Sequence, residues 1–273
     1  MRLPPASART PVVVSIPHYG TEPLPGVETA DYREPSFATF AYGFADTFAA
    51  EVYGELHAHG ATLVATPFSR MFVDVNRRRD DFEESDGAVH SRRGVVRTHT
   101  MREVPIFARS LDTTELEARL RAFYDPYYAA LAHVLGGVRK AHGYAILLDG
   151  HTGSPRRMKE HEVIIGTCHE ATCEPKLAAA VSDVFARHGF AVHENVSGYT
   201  GGNVVATFGR PHTRVHALQL EVNAGLLMTT TAEEFITQVR RGERPEQNAA
   251  NIARVRACLR DVLATLPSVL ATK

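Results

Sequence analysis

The chain has 273 residues, a formal net charge of −1 and a hydrophobic fraction of 44%. This length and composition suit one α/β domain with a sizeable core, and the near-neutral charge gives no electrostatic basis for binding nucleic acid or an anionic membrane. The apolar run near the N-terminus is too short for a membrane span or a signal sequence. Three cysteines at irregular spacing are typical of a reducing compartment, so we expect a cytoplasmic protein.

The first predicted elements are two buried strands on either side of a helix. Val12 to Ile16 is a β-branched run that predicts a strand feeding the turn Pro17-His18-Tyr19-Gly20. Helical apolar spacing over 37–59, followed by Gly60, predicts a helix with a glycine stop. Residues 62–66 predict the second strand.

The middle of the chain is dominated by a long polar segment. The alternation over 71–75 indicates a third strand. Residues 77–109 are charged and aperiodic, which is typical of a functional loop or a mobile lid. A helix is then predicted from Thr113 to Gly143, with an interruption near Pro126. The apolar run 145–149 is the clearest buried strand in the sequence.

The rest of the chain alternates further predicted strands (163–166, 190–193 and 216–222) with predicted helices (175–189 and about 248–266). Strands that alternate with helices predict a single domain over 1–273 with a mixed, mostly parallel central sheet and helices on both faces. In such a sheet, functional groups collect beyond the carboxyl ends of the strands.

Two histidines at predicted strand ends indicate a metal site. His18 follows the first strand and His151 follows the strand 145–149. Glu22, four residues after His18, could add an oxygen ligand, and Asp149 could orient a ligand. Two histidines and one carboxylate, with an open position for water, are the composition of a catalytic zinc site. The alternative for His18 alone is a loop histidine bonded to a carbonyl.

Four further residues are candidates for catalysis or substrate binding: Glu221, Asn76, Arg77 and Arg70. Glu221, near the end of the last strand, is placed to act as general base for metal-bound water, unless it forms an ion pair with an arginine. Asn76 and Arg77 suit a clamp on a substrate carboxylate, unless they belong to a solvated arginine cluster. Arg70 could polarise the scissile carbonyl or simply pair with Asp74.

Four stretches of the sequence resemble the N-formylglutamate amidohydrolase family: SIPHYGTEPLPG, GATLVATPFSRMFVDVNR, AILLDGHTGS and FGRPHTRVHALQLEVN. They occur in the family order and cover most of residues 12–224. The family is similar in fold to zinc carboxypeptidases and to the succinylglutamate desuccinylase and aspartoacylase group. The resemblance implies one zinc ion on His18 and His151, catalysis by Glu221 and carboxylate binding by Asn76 and Arg77. Gly202 and Asn203, at the end of the loop SGYTGG, complete the predicted substrate-binding set.

The third metal ligand has two candidates. Glu22 matches family members that contain His-x-Gly-Thr-Glu, whereas Asp46, early in the predicted first helix, matches an acidic position found more widely. The sequence leaves both residues open.

The sequence departs from the family at a specificity position. The family usually has an Arg-His pair before the Gly-Arg-Pro block, and this chain has Ala206-Thr207 there. An unpartnered substrate anion is costly in a closed cavity. We therefore expect N-formylglutamate to be a poorer substrate than N-acyl amino acids with neutral side chains, unless Arg156 or Arg157 supplies the missing charge.

Taken together, the sequence predicts a zinc-dependent amidohydrolase that cleaves the linear amide bond of an N-acyl amino acid or a related small amide. The expected partner is a small carboxylate-bearing substrate. The alternatives are a metallopeptidase or esterase on the same scaffold, or a metal-binding regulator without turnover.

Overall fold

The computed structural model of the protein describes residues 2–3 and 10–271. The prediction that the N-terminal segment contains no signal sequence falls partly on residues 1 and 4–9, which lie outside the described residues. The strands are β1 (Arg2–Leu3), β2 (Val12–Ile16), β3 (Thr62–Ala65), β4 (Glu83–Ser85), β5 (Ala88–His90), β6 (Ala145–Gly153), β7 (Val163–Gly166), β8 (Val192–Glu194) and β9 (Val215–Asn223). The α-helices are α1 (Phe40–Phe44), α2 (Ala49–Tyr53), α3 (Thr113–Arg119), α4 (Asp125–His142), α5 (Pro155–Met158), α6 (Pro175–Arg187), α7 (Asn203–Phe208), α8 (Ala232–Arg240) and α9 (Ala249–Ala271).

One mixed sheet organises the molecule. In the described part of the chain its strand order is β1-β3-β2-β6-β9-β7-β8, and a separate hairpin pairs β4 with β5. The central pairs β3/β2, β2/β6 and β6/β9 are parallel, as is β7/β8. Only β1/β3 and β7/β9 are antiparallel among these neighbours. The predicted single-domain, mostly parallel α/β architecture is confirmed.

Helices cover both faces of the sheet because successive strand side chains point to opposite sides. One face packs against apolar residues of α2, α6 and α9, such as Val52, Val181 and Val262. The other face packs against α3, α4 and α7, with Leu131 and Val204 among its buried residues. Burial of both faces explains why the strand sequences read as continuous apolar runs.

The longest strands, β6 and β9, change character along their length. They pair in parallel from Ala145 with Val215 to Gly153 with Asn223. On the face that packs against α4, buried Leu147 and Ala217 are followed toward the carboxyl ends by polar residues. The pairs Asp149 with Gln219 and His151 with Glu221 therefore lie inside the sheet, and not in the loops beyond it.

The predicted helix over 37–59 is wrong as one element. It is a 3₁₀ turn at Pro35–Thr39, α1, a break at 45–48, α2 and a second 3₁₀ turn at Gly54–His59. Phe48 has a left-handed φ of 65°, and the Asp46 amide donates to the His18 carbonyl at 2.8 Å. This tertiary hydrogen bond replaces a helical one. The predicted stop at Gly60 is confirmed by its φ of 96°.

The predicted strand over 71–75 is also wrong. These residues form turns in which all five side chains are buried. Their backbone bonds go to the following segment, with the Asp74 amide donating to the Val95 carbonyl at 2.7 Å and the Arg97 amide to the Met71 carbonyl at 2.9 Å. The alternation of the sequence reflects packing of a buried connection and not a pleated strand.

The segment 77–109 is more ordered than its polar sequence suggests. It contains the β4/β5 hairpin, and Val89, Val95 and Ile106 are buried in the core beside α4. Arg79 fastens the segment to α3 and α4 through Glu117 and Asp125. The interruption predicted near Pro126 is a π-helical turn at Leu120–Tyr124, between α3 and α4. The short helices α5 and α7 and the helix α8 were not predicted.

Candidate active site

A cavity of about 470 Å³ opens at the carboxyl edge of the sheet. Its wall includes His18 from the end of β2, Asp46 from the break between α1 and α2, His151 from β6 and Glu221 from β9. Chain segments far apart in sequence therefore supply the polar groups, and the parallel strand order brings them to the same edge.

His18, Asp46 and His151 form a group that could hold a metal ion. Each offers one ligand atom, and the three atoms lie within 4.8 Å of one another. Both histidines are buried, and Nδ1 of His18 has no hydrogen-bond partner in the described residues. Asp46 Oδ2 lies 2.7 Å from His151 Nδ1 and 3.8 Å from His18 Nδ1. Two imidazole nitrogens and a carboxylate oxygen this close together fit a zinc ion.

Carboxylates hold the far side of both imidazole rings. His18 Nε2 donates to Asp74 at 2.7 Å, and His151 Nε2 lies 3.0 Å from both Asp149 and the Asn76 side-chain amide. A carboxylate can only accept, so the proton of His18 is on Nε2, and its Nδ1, which has no hydrogen-bond partner among the described residues, is left for the group. Burial and the neighbouring Arg70 lower the pKa of His18. Burial also opposes protonation of His151, but Asp149 and Glu221 outweigh it and raise that pKa well above its usual value. A bound cation would balance the same excess of negative charge.

The structure brings Asp46 to the two histidines and does not bring Glu22. Glu22 is exposed and borders a neighbouring cavity, and its backbone bonds to Pro67 and Ser69. Gly20 explains this path, because a Cβ there would lie 2.2 Å from the Pro67 carbonyl oxygen. The glycine of the Pro-His-x-Gly turn thus permits close packing of two chain segments.

Glu221 is a buried carboxyl group on β9, the strand that pairs with the His151 strand β6. It sits opposite His151 in the β6/β9 register and accepts a hydrogen bond from Gln219 Nε2 at 2.6 Å. Burial raises the pKa of Glu221 to about 7, against the opposing effect of His151. A carboxyl group with this pKa can accept and return a proton near neutral pH.

Arg70 forms the ion pair with Asp74 that the sequence offered as one of two alternatives, and the same side chain borders the cavity. Its Nε donates to Asp74 at 2.9 Å, so the ion pair exists, and the guanidinium also lines the cavity. Its Nη1 lies 3.8 Å from Asp46. Asp74 is fully buried and also accepts from the Asn76 amide, so it organises this side of the site.

Three of the four predicted substrate-binding residues border the cavity, and the fourth, Asn203, holds a neighbouring helix in place. Asn76, Arg77 and Gly202 line the cavity. However, the Asn76 side chain accepts from the Val204 amide at 2.8 Å and donates to Asp149 at 3.0 Å, which ties α7 to β6. Gly202 is required there, because a Cβ would lie 2.4 Å from the Asn76 amide.

The structure does not bring the Asn203 side chain into the cavity. Its amide donates to the hydroxyls of Tyr128 and Tyr124 at 2.5 and 3.2 Å, so it anchors the start of α7. The Tyr124 hydroxyl in turn donates to the Arg77 carbonyl at 2.8 Å. Arg77 itself is 41% exposed, with its Nε 3.9 Å from Asp74, so its guanidinium remains available to a ligand.

The sequence did not predict two of the arginines that line the site, Arg93 and Arg97. Besides Arg70 and Arg77, the cavity wall contains Arg93, Arg97 and Arg157. Arg157 is one of the two residues predicted to supply the missing charge, whereas Arg93 and Arg97 lie in the segment 77–109, for which the sequence predicts a loop or lid. The apolar run Val95-Val96 beside Arg97 was the available signal that this arginine is buried. The argument for a single cationic cluster therefore does not hold.

A cavity at the carboxyl edge of a mostly parallel sheet, with paired histidines, carboxylates and a buried glutamate, defines a hydrolytic enzyme with an α/β fold. A family model described as N-formylglutamate amidohydrolase matches residues 10–228. The chain belongs to the N-formylglutamate amidohydrolase family, and it is an amidohydrolase.

Known proteins similar to this chain agree with the family. An N-formylglutamate deformylase of Pseudomonas aeruginosa is 29% identical over 78% of this chain and 80% of its own length. One from Pseudomonas putida is 28% identical over 82% and 84%. The solved structure of an N-formylglutamate amidohydrolase from Ralstonia eutropha JMP134 matches the fold with a TM-score of 0.77, at 24% identity over 98% of this chain and 96% of that one. Among the described residues of this chain, no helix has both the length and the apolar character needed to cross a membrane.

Proposed function

We propose that this chain is a zinc-dependent enzyme that hydrolyses N-formyl-L-glutamate to formate and L-glutamate. The observation that carries the proposal is the buried group His18, Asp46 and His151 beside Glu221. Its donor set matches a catalytic site for about one zinc ion per chain. The names of the two Pseudomonas relatives support the substrate.

The residues of the cavity divide the reaction between them. A bound zinc ion would supply a Lewis acid that acidifies water and polarises the formyl carbonyl. Glu221 accepts the proton of the attacking water and delivers it to the amide nitrogen, which leaves as the amine of glutamate. Arg70, between Asp74 and Asp46, stabilises the negative charge that develops on the carbonyl oxygen. Arg77 binds a substrate carboxylate with its planar fork.

We place this reaction in the cytoplasm, with a small carboxylate-bearing amide as the partner. All three cysteines are free in the described residues, which supports a reducing compartment.

The experiment measures zinc content and formate release on the same preparation. We expect about one zinc per chain in the wild type and loss of both zinc and activity in His151→Ala, because a ligand is removed. His133→Ala is the matched control, since His133 is exposed on α4 and should change neither measurement. Full activity in metal-free wild-type protein would contradict the proposal.

A further inference from the structure

Arg97 is a buried cation in the wall of the active-site cavity. Its side chain is 9% exposed, and its guanidinium lies over the Phe44 ring at 4.5 Å from the centroid. Its Nη1 donates to the Arg92 carbonyl at 2.7 Å, while its Nε is buried without a hydrogen-bond partner among the described residues. The Phe44 contact and the Arg92 bond hold the guanidinium in one orientation.

Arg97 has no carboxylate of its own. The nearest is Asp74, whose Oδ2 lies 4.0 Å from Arg97 Nη2, beyond hydrogen-bonding distance. Asp74 already binds His18, Arg70 and the Asn76 amide. Burial, followed by repulsion from Arg70, lowers the pKa of Arg97 to about 10. A buried guanidinium without a hydrogen-bonded carboxylate is costly, so an anion that enters the cavity would relieve this cost.

Arg93 extends the positive charge from Arg97 to the rim of the cavity. Arg93 is exposed and forms no ion pair within the described residues. It borders the active-site cavity and also a neighbouring groove whose wall includes Asp81 and His90. Arg92, the adjacent residue, instead pairs with Glu103 at 2.7 Å. The two neighbouring arginines therefore differ in whether a protein carboxylate already satisfies them.

We propose that Arg97, with Arg93 at the rim, forms a carboxylate subsite distinct from Arg77, and that it binds the side-chain carboxylate of an acidic N-acyl amino acid. This inference rests on the proposed function for the nature of the amide. The glutamate side chain carries two methylene groups before its carboxylate, and Phe44 gives them an apolar surface next to Arg97. Arg77 remains for the α-carboxylate, which every N-acyl amino acid has.

The test compares kcat/KM for N-formyl-L-glutamate and N-formyl-L-glutamine, which differ in the charge of the side chain. We expect the wild type to prefer the glutamate compound by roughly ten- to a hundredfold, the strength of a hydrogen-bonded charge pair. Arg97→Met should remove most of this preference by lowering kcat/KM for the glutamate compound alone. Arg97→Lys, which keeps the charge without the fork, should retain part of it. Arg93→Gln should reduce the preference less than Arg97→Met, because Arg93 is exposed to water.

Two further variants separate this subsite from its surroundings. Arg77→Gln should lower kcat/KM for both compounds and leave their ratio unchanged, since both carry the α-carboxylate. Arg92→Gln is the matched control on the same segment and should behave as the wild type. A wild type that does not distinguish the two compounds would overturn the inference. So would an Arg97→Met variant that loses activity on both equally, because Arg97 would then only support Asp74.

A binding measurement keeps this inference separate from the proposed function. If neither compound is hydrolysed, the proposed reaction fails, and calorimetric titration of both compounds into zinc-loaded protein still tests the subsite. Tighter binding of the glutamate compound by the wild type but not by Arg97→Met supports it. Equal binding of the two compounds by the wild type refutes it. If Arg97→Met does not fold, Arg97→Lys and Arg93→Gln carry the same comparison.

Discussion

At the scale of single residues, the candidate site depends on which atom of each side chain is left free. The carboxylates of Asp74 and Asp149 occupy the Nε2 atoms of the two histidines, so the Nδ1 atoms remain for Asp46 and an ion. Burial raises the pKa of Glu221 to about 7, and the opposing effect of His151 does not cancel this increase. Carboxylate side chains are therefore expected to serve for orientation in one place and for proton transfer in another.

Glu221→Gln is the residue-scale prediction. The amide keeps the shape of the side chain but cannot accept a proton, so kcat should fall about a hundredfold or more. Zinc content and the melting temperature should stay close to the wild type, because Glu221 is outside the group His18, Asp46 and His151. Glu160→Gln, an exposed carboxylate, is the control. Near-normal kcat in Glu221→Gln would assign the proton transfer to another group.

At the scale of elements, the break between α1 and α2 is the feature that builds the site. A continuous helix over 37–59 would satisfy the Asp46 amide within the helix, whereas here it donates to the His18 carbonyl. This bond carries the Asp46 carboxylate next to His151 Nδ1. The Tyr53 hydroxyl of α2 then donates to the carbonyls of His151 and Leu220, at 3.1 and 3.0 Å, where β6 and β9 carry the candidate catalytic groups.

The prediction at this scale distinguishes the two candidate third ligands. Asp46→Ala should lower zinc content and activity together, because its oxygen faces both histidines. Glu22→Ala should keep both, because Glu22 is exposed on a neighbouring cavity. Zinc content is measured in each purified variant by elemental analysis. Retained zinc in Asp46→Ala, together with lost zinc in Glu22→Ala, would reverse the assignment.

At the scale of the whole molecule, the proposed ion joins parts of the fold that are separate in sequence. His18 follows β2, Asp46 lies in the break at 45–48, and His151 lies in β6. An ion that binds only the folded arrangement stabilises it in proportion to its affinity. The site is therefore expected to contribute to global stability as well as to catalysis.

Removal of the ion provides the test at this scale. At a zinc concentration a thousandfold above Kd, the stabilisation is about 4 kcal/mol. For a chain of this size, that corresponds to a melting temperature roughly 8–16 °C lower in chelator than in zinc. His151→Ala should show almost no difference between the two conditions. An unchanged melting temperature in the wild type would show that no tightly bound ion links these elements.

The sequence alone predicted most strands and the positions of His18, His151 and Glu221. Buried strands read as uninterrupted apolar runs, and histidines or carboxylates directly after such runs are hard to explain by packing. The glycine stops at Gly60 and Gly143 were also predictable, since both have positive φ values of 96° and 80°. The resemblance to the family added the order of these motifs, and the family match over residues 10–228 agrees with it.

Only the tertiary structure places Asp46, and not Glu22, beside the two histidines, and only it places Arg97 in the cavity wall. Both placements depend on contacts between residues distant in the chain. The Asp46 amide bonds to the His18 carbonyl, and Arg97 lies over Phe44 and 4.0 Å from Asp74, which is too far for a hydrogen bond. The failed predictions at 37–59 and 71–75 have the same cause, because long-range hydrogen bonds and packing overrode local periodicity. Periodicity reports which side of an element is buried, but the partner that buries it is set by the path of the whole chain.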